Sequence, residues 1–313
     1  MTASSNLCPL IETYTFEEKT DIAGKIKNIC YETIDKEMDK LIEIGSSAYS
    51  MSPRSRIGNN IVDYFTFVER LHTKGKYNVS FYEFLSNIEF FKEKKFIQNM
   101  FTYYNNVKNA SGKKHEYVVC KEIYNISISA INIIRPLVYM EIYSRPLIKP
   151  KSILDFCAGW GGAAVAAAAL NIDNYTGIEI NFSLKRPYEE LKEFLKKKSH
   201  TKIDMRFEDA LQVDYSVLDY DFVFTSPPYY FIQKYENNAI YKSKLEMDEK
   251  FYIPLFTNTF KHLKPKGIYA INVCKEVYDN VLKPLLREAN EIFSYKKSKR
   301  QNNYEEKVYV WTK

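Results

Sequence analysis

The sequence predicts an α/β fold: a doubly wound, mainly parallel sheet preceded by a mostly helical N-terminal domain. Three observations carry that prediction. From Lys151 onward, short runs rich in β-branched and aromatic residues alternate with helical stretches, the pattern that builds parallel sheets. A glycine-bearing turn, Asp155 to Gly162, closes the first of these runs and opens a helix of almost pure alanine. Upstream of about residue 115 the apolar residues fall at helical spacing only.

The elements follow in order. Thr20 to Ile44 carries Ile22, Ile26, Ile29, Cys30, Ile34, Met38, Leu41 and Ile42, the stripe of one long helix. Pro53 to Asn60 is a basic loop holding Arg54, Arg56 and Gly58, and a helix over Ile61 to Leu71 follows it. Ser80 with Glu83 three residues on is a capping box that starts the next helix. Lys92 to Lys95 reads as a solvated helix face. The polar stretch Asn105 to Lys114 sets a domain boundary, giving a helical domain over 1–115 and a second domain over 116–313. Glu116 to Ser144 is helical, with Pro136 placed to split it.

Strands are expected over 151–156, 175–179, 202–207, 220–225, 267–273, 292–295 and 307–311. Helices are expected over 161–170, 185–198, 246–263 and from the fifth strand to about Ala289. The last two strands have no helix between them, so they form a hairpin whose final strand runs antiparallel.

The totals bound the function. At 313 residues the chain is long enough for one large or two modest domains. A net charge of +6 is compatible with a polyanionic partner without demanding one. Cys8, Cys30, Cys120, Cys157 and Cys274 are odd in number and contain no Cys-x-x-Cys pair, and there are only four histidines. That excludes a disulfide framework and a zinc site as economical readings, and the expectation is reduced thiols, no metal and an intracellular, soluble protein. The N-terminus lacks a signal-peptide pattern, and no apolar run is long enough to cross a membrane.

Two stretches carry chemistry. In Asp155-Phe156-Cys157-Ala158-Gly159-Trp160-Gly161, glycines let the backbone approach a ligand closely, outside the carboxyl end of the first strand. Glu179, twenty residues past Gly159, ends the second strand, where a carboxylate can accept from both hydroxyls of a ribose. Asp209, beside Ala210 just past the third strand, can accept from an adenine amino group. A dinucleotide would want a third glycine where Ala164 stands and a pyrophosphate site; the acidic mouth of Asp155, Glu179 and Asp209 suits a cationic ligand instead. The second stretch, Ser226-Pro227-Pro228-Tyr229, closes the fourth strand. Its prolines cannot donate to a ladder, so the loop leaves the Ser226 and Pro227 carbonyls and an aromatic ring for another partner.

With these motifs in this order, residues from about 130 to 313 resemble the amino-methyltransferases, the enzymes that methylate adenine N6 or cytosine N4 in DNA. Asp155 to Gly161 looks like their cofactor motif, although Cys157-Ala158-Gly159-Trp160-Gly161 departs from the simplest Phe-x-Gly-x-Gly form. Ser226-Pro227-Pro228-Tyr229 looks like their catalytic motif, with serine where the adenine enzymes more often carry aspartate or asparagine. The form Thr-Ser-Pro-Pro-Tyr is closest to cytosine-N4 enzymes and to methyltransferases of phages and large DNA viruses. The resemblance implies a seven-stranded Rossmann-like sheet. It implies S-adenosylmethionine as cofactor, held by Asp155, Phe156, Cys157, Ala158, Gly159, Gly161, Glu179, Asp209 and Ala210. Catalysis would fall to Ser226, Pro227, Pro228 and Tyr229.

An exocyclic amine is a poor nucleophile because its lone pair is delocalised into the ring. The implied mechanism has Ser226 Oγ and the Pro227 carbonyl accept its two hydrogens while Tyr229 stacks on a base flipped out of double-stranded DNA. Tyr230, Arg54, Arg56, Lys297 and Arg300 are the expected nucleic-acid contacts. The same chemistry on RNA or on a protein glutamine, and a non-catalytic subunit of the same fold, are the alternatives. A homodimer or a partner subunit stays open.

Overall fold

The computed structural model describes residues 10–51, 55–75, 77–146, 148–230, 239–294 and 306–313. Its contacts divide them into two compact units: 10–29 with 67–132, and 30–66 with 133–313. The boundary expected at 115 therefore falls inside the first unit, and residues 30–66 belong to the second. The long helix expected over 20–44 is two helices, Phe16–Ile26 and Tyr31–Ile44, one in each unit. Lys27 and Cys30 take extended backbone between them. The apolar spacing runs on through the break, so periodicity alone could not reveal it.

The first unit is helical around a core of aromatic side chains. Phe81, Tyr82, Phe84 and Tyr124 are fully buried together with Ile22, Leu71 and Ile123. Two of its helices start on capping boxes. Thr15 pairs with Glu18, and Ser80 with Glu83, where Ser80 N donates to the Glu83 carboxylate at 2.8 Å and Glu83 N donates to Ser80 Oγ at 3.0 Å.

The second unit is the α/β unit. Its seven strands are β1 Ser152–Asp155, β2 Asn174–Glu179, β3 Lys202–Phe207, β4 Phe222–Thr225, β5 Ile268–Cys274, β6 Glu291–Phe293 and β7 Glu306–Thr312. They lie in the order β3-β2-β1-β4-β5-β7-β6. The first five run parallel, and β7 lies antiparallel between β5 and β6. The chain order reverses between β1 and β4, which opens a crevice at the carboxyl ends of these strands, the usual ligand position in such sheets. Asp155, Glu179 and Thr225 are the last residues of β1, β2 and β4, so the sheet delivers all three to that edge.

The alanine helix, Gly162–Ala169, is buried along its whole length. Methyl-sized side chains let other elements close on it from all sides; a Cβ on Gly162 would lie 2.6 Å from the Ile134 carbonyl oxygen. Pro136 starts a helix, Pro136–Tyr143, instead of kinking one, because its missing N–H is no loss in a first turn. In the stretch expected as one helix over 246–263, a π turn at Asp248–Tyr252 interrupts Lys244–Met247 and Ile253–His262. Among the described residues no helix is long and apolar enough to cross a membrane, and no group of three or more His, Cys, Asp or Glu is arranged to hold a metal.

Candidate active site

The loop after β1 is held open by its glycines. Gly159 and Gly161 have φ of +58° and +94°, the left-handed region in which a side chain is disfavoured. A Cβ on Gly161 would also lie 2.8 Å from Leu191 Cδ2. The loop is fastened at both ends. Asp155 Oδ1 accepts from Cys157 N at 3.2 Å and Oδ2 from the Tyr175 hydroxyl at 3.2 Å. Ala158 N donates to the Ile178 carbonyl at 2.9 Å, and the Tyr188 hydroxyl reaches the carbonyls of Ala158 and Gly159 at 3.2 and 2.9 Å. Glu179 closes the turn: Oε2 accepts from Gly159 N at 2.7 Å and Oε1 from Asn181 N at 2.9 Å. Asp155 thus shapes the loop from a buried position, whereas Glu179 and Asp209 keep partial exposure at its mouth.

The loop after β4 is braced from two sides. On one side Ser226 Oγ lies 2.8 Å from the Tyr229 hydroxyl, and Asn272 on β5 reaches both, its Nδ2 lying 3.1 Å from Ser226 Oγ, 2.6 Å from Tyr229 Oη and 2.7 Å from Glu306 Oε1 on β7. The Tyr229 hydroxyl also lies 3.2 Å from the Asn272 carbonyl oxygen, to which it can donate. On the other side the π turn supplies Tyr252 and Asp248. The Tyr252 hydroxyl donates to the Pro228 carbonyl and accepts from Tyr230 N, and Tyr230 Oη donates to Asp248 Oδ1 at 2.9 Å. Tyr230 sits at φ +40°, a strained position for a tyrosine that these contacts hold in place. Pro228 has its carbonyl engaged, while among the described residues no hydrogen bond reaches the Pro227 carbonyl.

The two loops meet. Phe156 and Ala210 from the first half and Tyr229, Tyr230 and Tyr252 from the second belong to one apolar cluster, with Cys157 packed against it. Burial pushes the Cys157 thiol well up, and the charges of Asp155, Glu179 and Asp209 add to that, so it stays a thiol. Burial raises Asp155 to about 6, against the Thr225 and Tyr175 hydroxyls and the Cys157 amide, and Glu179 to about 7, against the backbone amides that favour its charged form.

Some expected contacts take other positions. Tyr230 is 4% exposed, its hydroxyl on Asp248, its ring edge-on to Tyr252 and 5.1 Å beneath Lys244 Nζ, so it serves the loop itself. Arg56 is exposed in the turn ahead of the helix Asn59–His72. Arg54, Lys297 and Arg300 lie outside the described residues. Asn272, Tyr252, Asp248 and Glu306 were not singled out from the sequence. An asparagine in the middle of the apolar run Ile268–Cys274 was the one available signal, since a fully buried amide demands partners.

No family model matches the chain, and none of the curated proteins matches it. Among solved structures the chain is similar to TrmN from Thermus thermophilus, at 16% identity and a TM-score of 0.39 over 56% of this chain and 48% of that one. It is similar to NSun6 from Pyrococcus horikoshii with SFG, at 16% identity and a TM-score of 0.40 over 57% and 51%. It is also similar to an RNA methyltransferase from Salinibacter ruber in complex with S-adenosyl-L-homocysteine, at 15% identity and a TM-score of 0.36 over 58% and 93%. The aligned region thus spans about half the length of the first two. The functional reading rests on the residues of the site.

Proposed function

We propose that the chain is an S-adenosylmethionine-dependent methyltransferase acting on an exocyclic amino group of a base in DNA, cytosine N4 ahead of adenine N6. The observation that carries the proposal is that a glycine loop closed by a ribose-competent carboxylate and a Ser-Pro-Pro-Tyr loop leave the adjacent parallel strands β1 and β4 at one sheet edge and border one apolar cluster.

The residues present fit the cofactor. Glycines at 159 and 161 leave room at the backbone, and the half-buried Glu179 is fixed by two amides with lone pairs left to accept from a diol. Asp209, fastened through Oδ1 to Leu211 N at 3.0 Å, would accept from the adenine amino group through its other oxygen. The acidic mouth suits a sulfonium cation and opposes a pyrophosphate. Bound there, S-adenosylmethionine supplies a methyl group on positively charged sulfur.

The protein's own part is to hold the amine. Ser226 Oγ and the open Pro227 carbonyl would accept its two hydrogens, drawing the nitrogen out of conjugation. The target base would pack on Tyr229, which is 5% exposed and would have to be uncovered to receive it. Replacing Tyr229 with alanine is expected to abolish methyl transfer to DNA and to leave cofactor binding by calorimetry intact. Turnover that survives this change would refute the role given to the loop.

A further inference from the structure

We infer that Asn272 is the positioning residue that makes Ser226 a hydrogen-bond acceptor; this rests on the catalytic role proposed for Ser226. Serine is ambiguous, since its hydroxyl donates as readily as it accepts. The network around Asn272 removes the ambiguity. Asn272 is fully buried on β5, and its Nδ2 lies 2.7 Å from Glu306 Oε1 on β7. A carboxylate cannot pair with an amide oxygen, so Glu306 fixes which end of the amide faces the loop. Of its two amide hydrogens one goes to Glu306, and the other faces the loop, shared between Tyr229 Oη at 2.6 Å and Ser226 Oγ at 3.1 Å.

The protons can then be counted. The backbone carbonyl of Asn272 can only accept, and we assign the Tyr229 proton to it across 3.2 Å. In the 2.8 Å contact between the two hydroxyls, Ser226 is then the donor. One lone pair of Ser226 Oγ faces the Asn272 amide, and the other is left for an incoming N–H. Both the amide and the tyrosine hydroxyl thus turn the serine proton away from the substrate. Asn272 Oδ1 is buried without a partner. Such an orphan acceptor is unfavourable, and its presence is consistent with an amide whose orientation is set by Glu306 and the two hydroxyls, not by its own oxygen. Serine supplies a short acceptor, and the neighbouring strand supplies its direction.

The test is a double-mutant cycle on methyl transfer to DNA, with cofactor affinity measured in parallel by calorimetry. The variants are S226A, N272L, N272D and each Asn272 change combined with S226A. Leucine removes both donor hydrogens, and aspartate keeps the shape while its single proton is taken up in the pair with Glu306, leaving none for the loop. The expected result is a loss in kcat of at least about tenfold for N272L and N272D, an unchanged cofactor Kd, and no further loss when either is added to S226A. Cofactor binding reports folding, and N272D serves if N272L does not fold. Losses at Asn272 that add fully to that of S226A, or wild-type kcat in N272D, would overturn the inference while leaving the proposed function standing. A wild-type protein that binds cofactor yet methylates no DNA would instead refute the proposed function, and this inference with it.

Discussion

Glu179 shows how one residue links loop geometry to pH. Its bonds to the Gly159 and Asn181 amides favour the carboxylate, yet lost hydration wins and its pKa is pushed up to about 7. Protonation below that value removes an acceptor from the proposed ribose site. If only the ionised form binds, affinity for the cofactor should fall about tenfold from pH 8 to pH 6, and Glu179→Gln should weaken binding and flatten the profile. Calorimetry across this range checks it; an affinity independent of pH would count against the assignment. The linkage to stability has the opposite sign. For carboxyls whose pKa is raised on folding, Asp155 to about 6 and Glu179 to about 7, the stabilisation is complete below their unfolded values and is lost as pH rises through those raised values. Thermal melts without cofactor should show that loss between about pH 4 and pH 7, and Glu179→Gln should remove its part.

Tyr229 joins two functions that a substitution can separate. Tyr229→Phe keeps the ring and deletes the hydroxyl that orients Ser226. It should cost about tenfold in kcat, against about a thousandfold or more for Tyr229→Ala, in the same assay. Equal losses in both would mean that the ring contributes nothing beyond its hydroxyl.

At the scale of elements, legibility followed locality. The Ser80–Glu83 capping box was readable because its four residues contain the whole interaction. Ser80→Ala should cost about 1 kcal/mol in urea unfolding and leave cofactor affinity unchanged, since the cap belongs to the helical unit with its own core. The parallel strands were readable as apolar runs, within a residue or two. The break between Phe16–Ile26 and Tyr31–Ile44 was not, because its residues keep the helical stripe. The π turn at Asp248–Tyr252 was hidden for a similar reason. It inserts no proline or glycine, yet it brings Asp248 and Tyr252 to bear on Tyr230 and Pro228. Gly161 is the element-scale counterpart in the cofactor loop. Gly161→Ala forces a side chain into φ +94° against Leu191 and should cost about 1–3 kcal/mol, measured by the same unfolding experiment. A cost near zero would show that the loop relaxes without penalty.

For the whole molecule, strand order decides what can meet. The order β3-β2-β1-β4-β5 places Glu179, Asp155 and Thr225 on successive strands at one edge, so residues far apart in sequence converge. Motif order made that convergence readable in advance. Glu306 was beyond reach, because it meets Asn272 only through the antiparallel insertion of β7 beside β5, and Asn272 reaches Ser226 only because β5 lies beside β4. The proposed cofactor grip, the proposed serine acceptor and an aromatic ring thereby lie along one edge of the sheet. The most direct test is to incubate the protein with DNA and methyl-labelled S-adenosylmethionine, digest the DNA and identify labelled nucleosides by mass spectrometry, with RNA in parallel. The account predicts label in N4-methyldeoxycytidine or N6-methyldeoxyadenosine, absent with Tyr229→Ala. Label confined to RNA, to protein or to a ring carbon, or no label from protein that binds the cofactor, would contradict it.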